Sequence, residues 1–249
     1  MIPVQNVHSM IHQRLRKRYD QLWLRAFARI RTGKIDRDPV LEARTPDRRR
    51  GCTVIVRPSA AVKKSVALFL RELRRLEPDQ YYYAVSEFHI TVLSLFTATV
   101  DFEPFAVQKE RYIQAVDAAL KSTTPIRIVL DGITASPGTV MIQGLFETNE
   151  LHELRDGLRR QLQLHGLEKG VDERYRLETA HMTAVRFRAP LHHAERFAKA
   201  LEQARRRPFG LMTVRTLSLV ENDWYMSRRA TVLLKRYRLA IDAPSAPRG

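Results

Sequence analysis

Apolar residues recur along this chain with two alternating periods, and their order predicts the architecture. Residues 5–32 carry an imperfect apolar stripe (Val7, Met10, Ile11, Leu15, Leu22, Phe27 and Ile30) at spacings that suit one face of a helix. The segment RTGKIDRDPVLEARTPDRRRG (31–51) then breaks the pattern with glycine, two prolines and mixed charge. It reads as a linker or wrapping loop and puts a domain boundary near residue 50. Beyond it, CTVIVRP (52–58) is a predicted strand and 60–77 an amphipathic helix stopped by Pro78. A strand around 82–96, a helix over about 104–121 and a hairpin at 125–146, turned at SPGT, complete the first half. The second half repeats the scheme: a helix at 149–165 ending at Gly166, a strand at 176–187, and a helix at 191–206. A last hairpin spans about 209–239 and turns near ENDWYMS. Helices alternating with hairpin-linked strands predict an α+β fold with antiparallel pairing. Residues 1–50 are then a basic helical extension and linker, and 51–249 a single domain of two repeated lobes.

Composition narrows the setting. An apolar fraction of 44% and a charged fraction of 28% suit a globular chain, and no apolar run approaches the roughly 20 residues of a membrane span. The N-terminus lacks the layout of a secretory signal, although its first 19 residues contain no acid, as in a transit peptide. One cysteine, Cys52, excludes an internal disulfide and a cysteine-based metal cluster, which points to a reducing, cytoplasmic setting. Lys and Arg number 43 against 27 Asp and Glu, a net +16, and half of that excess falls within residues 1–50. Such a balance favours polyanionic partners, RNA or nucleotides among them. Codon bias would also raise arginine, and the charge alone names no substrate.

The chemistry lies in a repeated pattern. FHITVLSLF (88–96) and the strand containing HMTAVRF (181–187) each hold His-apolar-Thr, 92 residues apart. Residues i and i+2 of a strand share a face, so His89 points with Thr91 and His181 with Thr183. An internal duplication would set these strands side by side about a pseudo-twofold axis, both motifs facing one central cleft. His192-His193 offers no comparable pattern, because neighbours on a helix start diverge and nothing completes a ligand set. The helix LHELRDGLRRQLQLHG reads as an ordinary amphipathic face, and nothing around Cys52 argues for nucleophilic use.

H-I-T-V (89–92) and H-M-T-A (181–184) resemble the His-hydrophobic-Thr/Ser-hydrophobic signature of the 2H phosphoesterase superfamily. HMTAVR, with Arg186, is similar to the His-x-Thr-x-x-Arg of its bacterial 2′-5′ RNA ligase-like branch. YYYAVSEFHITVLS and LSLVENDWYMS look like that branch too, and the resemblance covers about 190 residues, leaving 1–50 outside. It implies a bilobal fold of two antiparallel sheets flanked by helices. It also implies a phosphoesterase acting on 2′,3′-cyclic phosphate ends, 2′-5′ linkages or a small cyclic nucleotide, or running the reverse ligation.

Histidine suits both proton transfers of such a reaction because its ordinary pKa lies near working pH. His89 and His181 are the expected acid and base, Thr91 and Thr183 the hydroxyl donors to non-bridging oxygens, and Arg186 the cation on the phosphate. Tyr83 and Trp224 are positional candidates for stacking a base. The scheme calls for no cofactor or metal and expects RNA or a nucleotide as partner, away from membranes. A non-catalytic RNA-end or nucleotide-binding protein is the competing reading. In a third, the basic N-terminal helix is the main agent and attaches the domain to RNA or a partner.

Overall fold

The computed structural model describes residues 4–121, 123–173 and 175–240, with side chains within the first helix from residue 10 onward. The side chain of Val7 in the predicted stripe and the last nine residues of the predicted 51–249 domain lie outside what is described. Two antiparallel sheets form the frame. The first runs β3-β1-β8-β9, from β1 (Arg50–Val56), β3 (Ile90–Thr99), β8 (Thr216–Asn222) and β9 (Val232–Arg238). The second runs β2-β6-β5-β4-β7, from β2 (Tyr81–Tyr82), β4 (Ile126–Ser136), β5 (Thr139–Leu145), β6 (Met182–Arg186) and β7 (Pro208–Val214). Each sheet takes strands from both halves of the sequence. The His-Thr strands therefore stand in different sheets, not side by side in one, and meet because the two sheets approach each other.

Helices cover these sheets: α1 (Val4–Arg31), α3 (Ala60–Leu76), α4 (Glu103–Leu120), α5 (Glu150–Leu164) and α6 (Ala194–Gln203), with the single turn α2 (Pro39–Glu42). Their apolar spacing explains them. In α3, Ser59 caps the first turn by accepting from the Val62 N–H, and Val62, Val66, Phe69, Leu70 and Leu73 make one buried stripe. In α5 the stripe is Leu151, Leu154, Leu158 and Leu162, and a charged residue, Arg155, is buried within it.

Three expectations change. The strand expected at 82–96 is two strands: β2 pairs with β6, the chain turns over 85–87, and β3 pairs with β1 in the other sheet. The Glu87 carboxylate accepts from the Ala84 N–H and closes that turn. The strand expected at 176–187 shortens to β6, because the carbonyls of residues 177–179 are taken by guanidinium groups from α5 instead of a ladder. The region expected as one hairpin at 209–239 divides as well: β7 pairs with β4, while β8 and β9 form the hairpin. The hairpin at 126–145 forms as expected, turning at Ser136–Thr139.

Packing does not change at residue 50. Leu15, Tyr19, Trp23, Ala26 and Ile30 of α1 are buried in the same core as the strands, so the N-terminal helix is a wall of the domain. The buried line is rotated from the predicted stripe, leaving Met10 60% exposed. Tyrosine and tryptophan bring large apolar bodies with polar tips, and the Tyr19 hydroxyl is satisfied inside. It donates to the Gly144 carbonyl at 3.0 Å and accepts from the Gly144 N–H at 3.2 Å. Gly144 itself is required by close approach, since a Cβ there would stand 2.0 Å from the Ala180 carbonyl oxygen. Strand β5 is thereby pressed against the chain beside His181.

Candidate active site

Between the sheets lies a cavity of about 190 Å³, lined by His89, Thr91, His181, Thr183, Arg186, Tyr83 and Trp224 among others. All seven residues expected from the sequence meet in one place. His89 and His181 each stand one residue before their strands, β3 and β6, with Thr91 and Thr183 following on the same faces. Neither threonine hydroxyl bonds to the described protein, so both face the cavity with a donor to give.

Both imidazoles are held by Nδ1, in different ways. His89 Nδ1 lies 2.8 Å from the Glu87 carbonyl oxygen, and because a carbonyl only accepts, Nδ1 carries the proton. In neutral His89 the lone pair is therefore on Nε2. His181 Nδ1 lies 2.8 Å from the Thr179 hydroxyl, which can donate or accept. Burial drives both pKa values down from 6.5 to about 4. At His89 the carbonyl bond opposes the shift while Arg57 and Arg186 add to it. At His181 the positive charge of Arg155 is the next cause, followed by His89 and Arg186. At neutral pH the cavity thus holds two uncharged imidazoles beside fixed cations.

Arg186 is oriented by Tyr83, whose hydroxyl accepts from Arg186 Nε at 2.9 Å. Its guanidinium carbon lies 5.8 Å from the Trp224 ring centre and 5.6 Å from that of Tyr225. Tyr83 is not an open stacking platform: its ring is buried, edge-on to Tyr81 at 5.1 Å and 6.4 Å from the His89 ring. Trp224 is half-buried, with the Arg49 guanidinium 4.5 Å over its ring.

The segment expected as a linker builds this wall. Asp47 accepts from the Trp224 N–H at 3.0 Å, Asp38 accepts from the Tyr225 hydroxyl at 2.7 Å, and Arg49 donates to that hydroxyl at 3.2 Å. Asp38 also caps α2 through the Val40 and Leu41 N–H groups. Met226, which lines the cavity in the same loop, has φ +57, a left-handed conformation unusual for its side chain. The His192-His193 pair lies elsewhere: both N–H groups go to buried Glu77, and the His192 ring meets Asp79 at 3.1 Å. Among the described residues, no group of three His, Cys, Asp or Glu side chains could hold a metal ion, and no helix is long and apolar enough to cross a membrane.

Sequence reasoning missed the residues behind the histidines: Arg155, Arg57, Thr179 and Tyr19. Arg155 left one signal, a charge on the apolar stripe of its helix, three residues from Leu158 and four from Leu151. The others had none, because partners far apart in sequence create their roles.

Comparison with known proteins bears on the family and the fold. A family model described as the 2′-5′ RNA ligase superfamily matches residues 62–224. Among solved structures, the protein TT0787 of Thermus thermophilus superposes with a TM-score of 0.56 at 16% identity, over 78% of this chain and all of that one (100%). A phosphoesterase crystal structure gives 0.51 at 16% identity, covering 78% of this chain and 99% of its own. E. coli LigT complexed with ATP gives 0.50 at 12% identity, covering 77% and 98%. At these identities the likeness is one of fold. No curated protein matches the chain in sequence. With one family model spanning most of it, and a fold shared with a phosphoesterase and LigT, the chain belongs to the 2′-5′ RNA ligase superfamily.

Proposed function

We propose that this protein is a phosphoesterase that works without a metal, using His89 and His181 as general acid and base on a 2′,3′-cyclic phosphate or a 2′-5′ phosphodiester at an RNA or nucleotide end. The observation that carries the reading is the meeting of both histidines, both threonines and Arg186 in one cavity, with each imidazole anchored by Nδ1 and so offering Nε2 to a ligand. In hydrolysis, one histidine takes a proton from water as its oxygen attacks phosphorus. The bond from phosphorus to one ribose oxygen breaks, and the second histidine, protonated, delivers a proton to that oxygen. Ligation keeps these roles with a 5′-hydroxyl in place of water, and they exchange when a 2′-5′ linkage is cleaved back to the cyclic phosphate.

The low pKa values belong to the protein alone and change on binding. A phosphate anion between the imidazoles favours a protonated ring, raising the affinity of one histidine for the proton the reaction needs. Thr91 and Thr183 donate to the non-bridging oxygens, and Arg186, aimed by Tyr83, meets the charge that gathers there. LigT complexed with ATP is a nucleotide complex on the same fold, which supports a nucleotide or RNA end as ligand here.

The test uses purified full-length protein with EDTA, incubated with a nucleoside 2′,3′-cyclic phosphate and, separately, with an RNA ending in one. Turnover by wild type, abolished in His89→Ala and His181→Ala and bell-shaped in pH, is the expected result, and the product isomer reports which oxygen leaves. Binding of either substrate without turnover would replace this reading with that of a nucleotide or RNA-end binding protein.

A further inference from the structure

Among the described residues Arg155 heads the largest fully buried side chains, yet it projects from a helix whose other buried positions are leucines. Among the described residues it forms no ion pair with a carboxylate; its donors go to main-chain carbonyls, and Asp172 attracts its charge only from farther away. Nε donates to Val92 at 2.8 Å, Nη1 to Glu178 at 2.9 Å, and Nη2 to Thr91 at 3.3 Å and Thr179 at 2.7 Å. Two of these carbonyls lie two and three residues after His89, and the other two lie two and three residues before His181. One planar group therefore spans the gap between the first sheet and the segment entering the second, behind the cavity that the two histidines share.

We propose that Arg155 is a positioning residue whose rigid guanidinium fork sets the spacing at which His89 and His181 face a single phosphate. The inference rests on the two-histidine reading above. Three physical points carry it. A buried cation with no carboxylate in contact is costly, and leucine at this position would pack the stripe without that cost, so the charge is not explained by packing. The guanidinium is flat and its donors diverge at fixed angles, so four bonds to two segments define their separation as a flexible ammonium cannot. The ladders alone do not define it, since β3 and β6 belong to different sheets and residues 178–181 carry no ladder of their own. The same segment is propped from its other side. Thr179 gives its carbonyl to Arg155 and its hydroxyl to His181 Nδ1, and the Tyr19 hydroxyl sits against Thr179 and Ala180.

The experiment compares wild type with Arg155→Lys, which keeps the charge and loses the fork. With a nucleoside 2′,3′-cyclic phosphate, kcat should fall roughly 30-fold or more while KM stays within about threefold, since misplacement of reacting groups acts on the chemical step. Independently of turnover, histidine ring NMR signals are followed as inorganic phosphate is added. In wild type the His89 and His181 signals should move along one binding curve, and in Arg155→Lys only one of them should move, or the two along separate curves. A structural role alone would lower the melting temperature but leave the per-molecule kcat and the shared curve intact, and that result overturns the proposal. So does a loss confined to KM. Phosphate shifts in wild type without turnover would refute the proposed function while leaving Arg155 to be judged by the NMR comparison. Wild type with neither turnover nor shifts removes the shared phosphate and overturns both. If Arg155→Lys and Arg155→Gln both fail to fold where wild type folds, Arg155 holds the fold and not the pair, and the proposal is likewise overturned.

Discussion

The two His-Thr motifs look equivalent in sequence, and their surroundings are not. His89 is held by the carbonyl of Glu87, two residues away on its own chain, beside a turn that Glu87 closes locally. His181 is held by Thr179, and behind Thr179 stand Tyr19 of α1 and Arg155 of α5, contributed from sequence distances of 160 and 24 residues. Arg155 reaches both motifs, but the direct anchor of His89 is a main-chain carbonyl, whereas that of His181 is a side chain supported in turn by the rest of the fold. A duplicated motif can thus keep its reacting atoms matched while their support diverges, because a phosphate senses only where Nε2 and the hydroxyls stand.

The strongest attempt to break that contrast removes residues 4–49. Burying each of the large side chains Leu15, Tyr19, Trp23 and Ile30 contributes up to about 1.5–3 kcal/mol. Their sum is comparable to the roughly 5–15 kcal/mol that holds a domain folded. The truncated chain should lose its cooperative urea transition by far-UV circular dichroism. A truncated chain that still folds and turns over a small cyclic phosphate would show that the second motif needs no borrowed support.

Next in size, His89→Ala and His181→Ala should each reduce kcat about 10²–10⁴-fold with folding intact. The double variant should be little worse than the more damaged single one, since acid and base act as a unit. Fully additive losses would mean that the two motifs work independently.

The sharper test of asymmetry is Thr179→Val. It removes the hydroxyl against His181 Nδ1 while leaving the shape of the side chain, so kcat should fall about tenfold, which corresponds to about 1.4 kcal/mol. No side-chain substitution can remove the matching anchor of His89, which is a main-chain carbonyl.

The smallest effect is on stability against pH. Both histidines titrate near 4 in the folded chain and near 6.5 when unfolded. Between those values the unfolded chain binds more protons, so stability should fall as pH drops through that window, and each His→Ala variant should flatten the slope. Urea unfolding at pH 7, 6 and 5 measures it. An unchanged slope in both variants would mean that neither imidazole is held neutral by burial.

Much of this site was legible beforehand. His89, Thr91, His181, Thr183 and Arg186 share a cavity, as the two spaced motifs implied, because a strand fixes side-chain direction within three residues. Tyr83 and Trp224, expected to stack a base, line the same cavity, but Tyr83 aims Arg186 and is not open for stacking, and Arg49 lies over Trp224. The role of a ring depends on what covers its faces, and that is decided by remote chain.

The segment before residue 50, read as a linker or a wrapping loop, shows the same limit. Gly33, Pro39, Pro46 and mixed charge mark an irregular segment correctly, but irregular backbone says nothing about whether it hangs free or wraps. Asp38, Asp47 and Arg49 wrap, bonding to Trp224 and Tyr225.

By itself, then, the sequence determined the elements with strong periodicity, the antiparallel α+β class and the identity of the facing His-Thr groups, all consequences of geometry over a few residues. The tertiary structure decided which sheet each motif strand joins, that α1 completes the core, and that Arg155 ties the two motifs together. Those depend on contacts between residues far apart in the chain, where spacing along the sequence carries no information about distance in space.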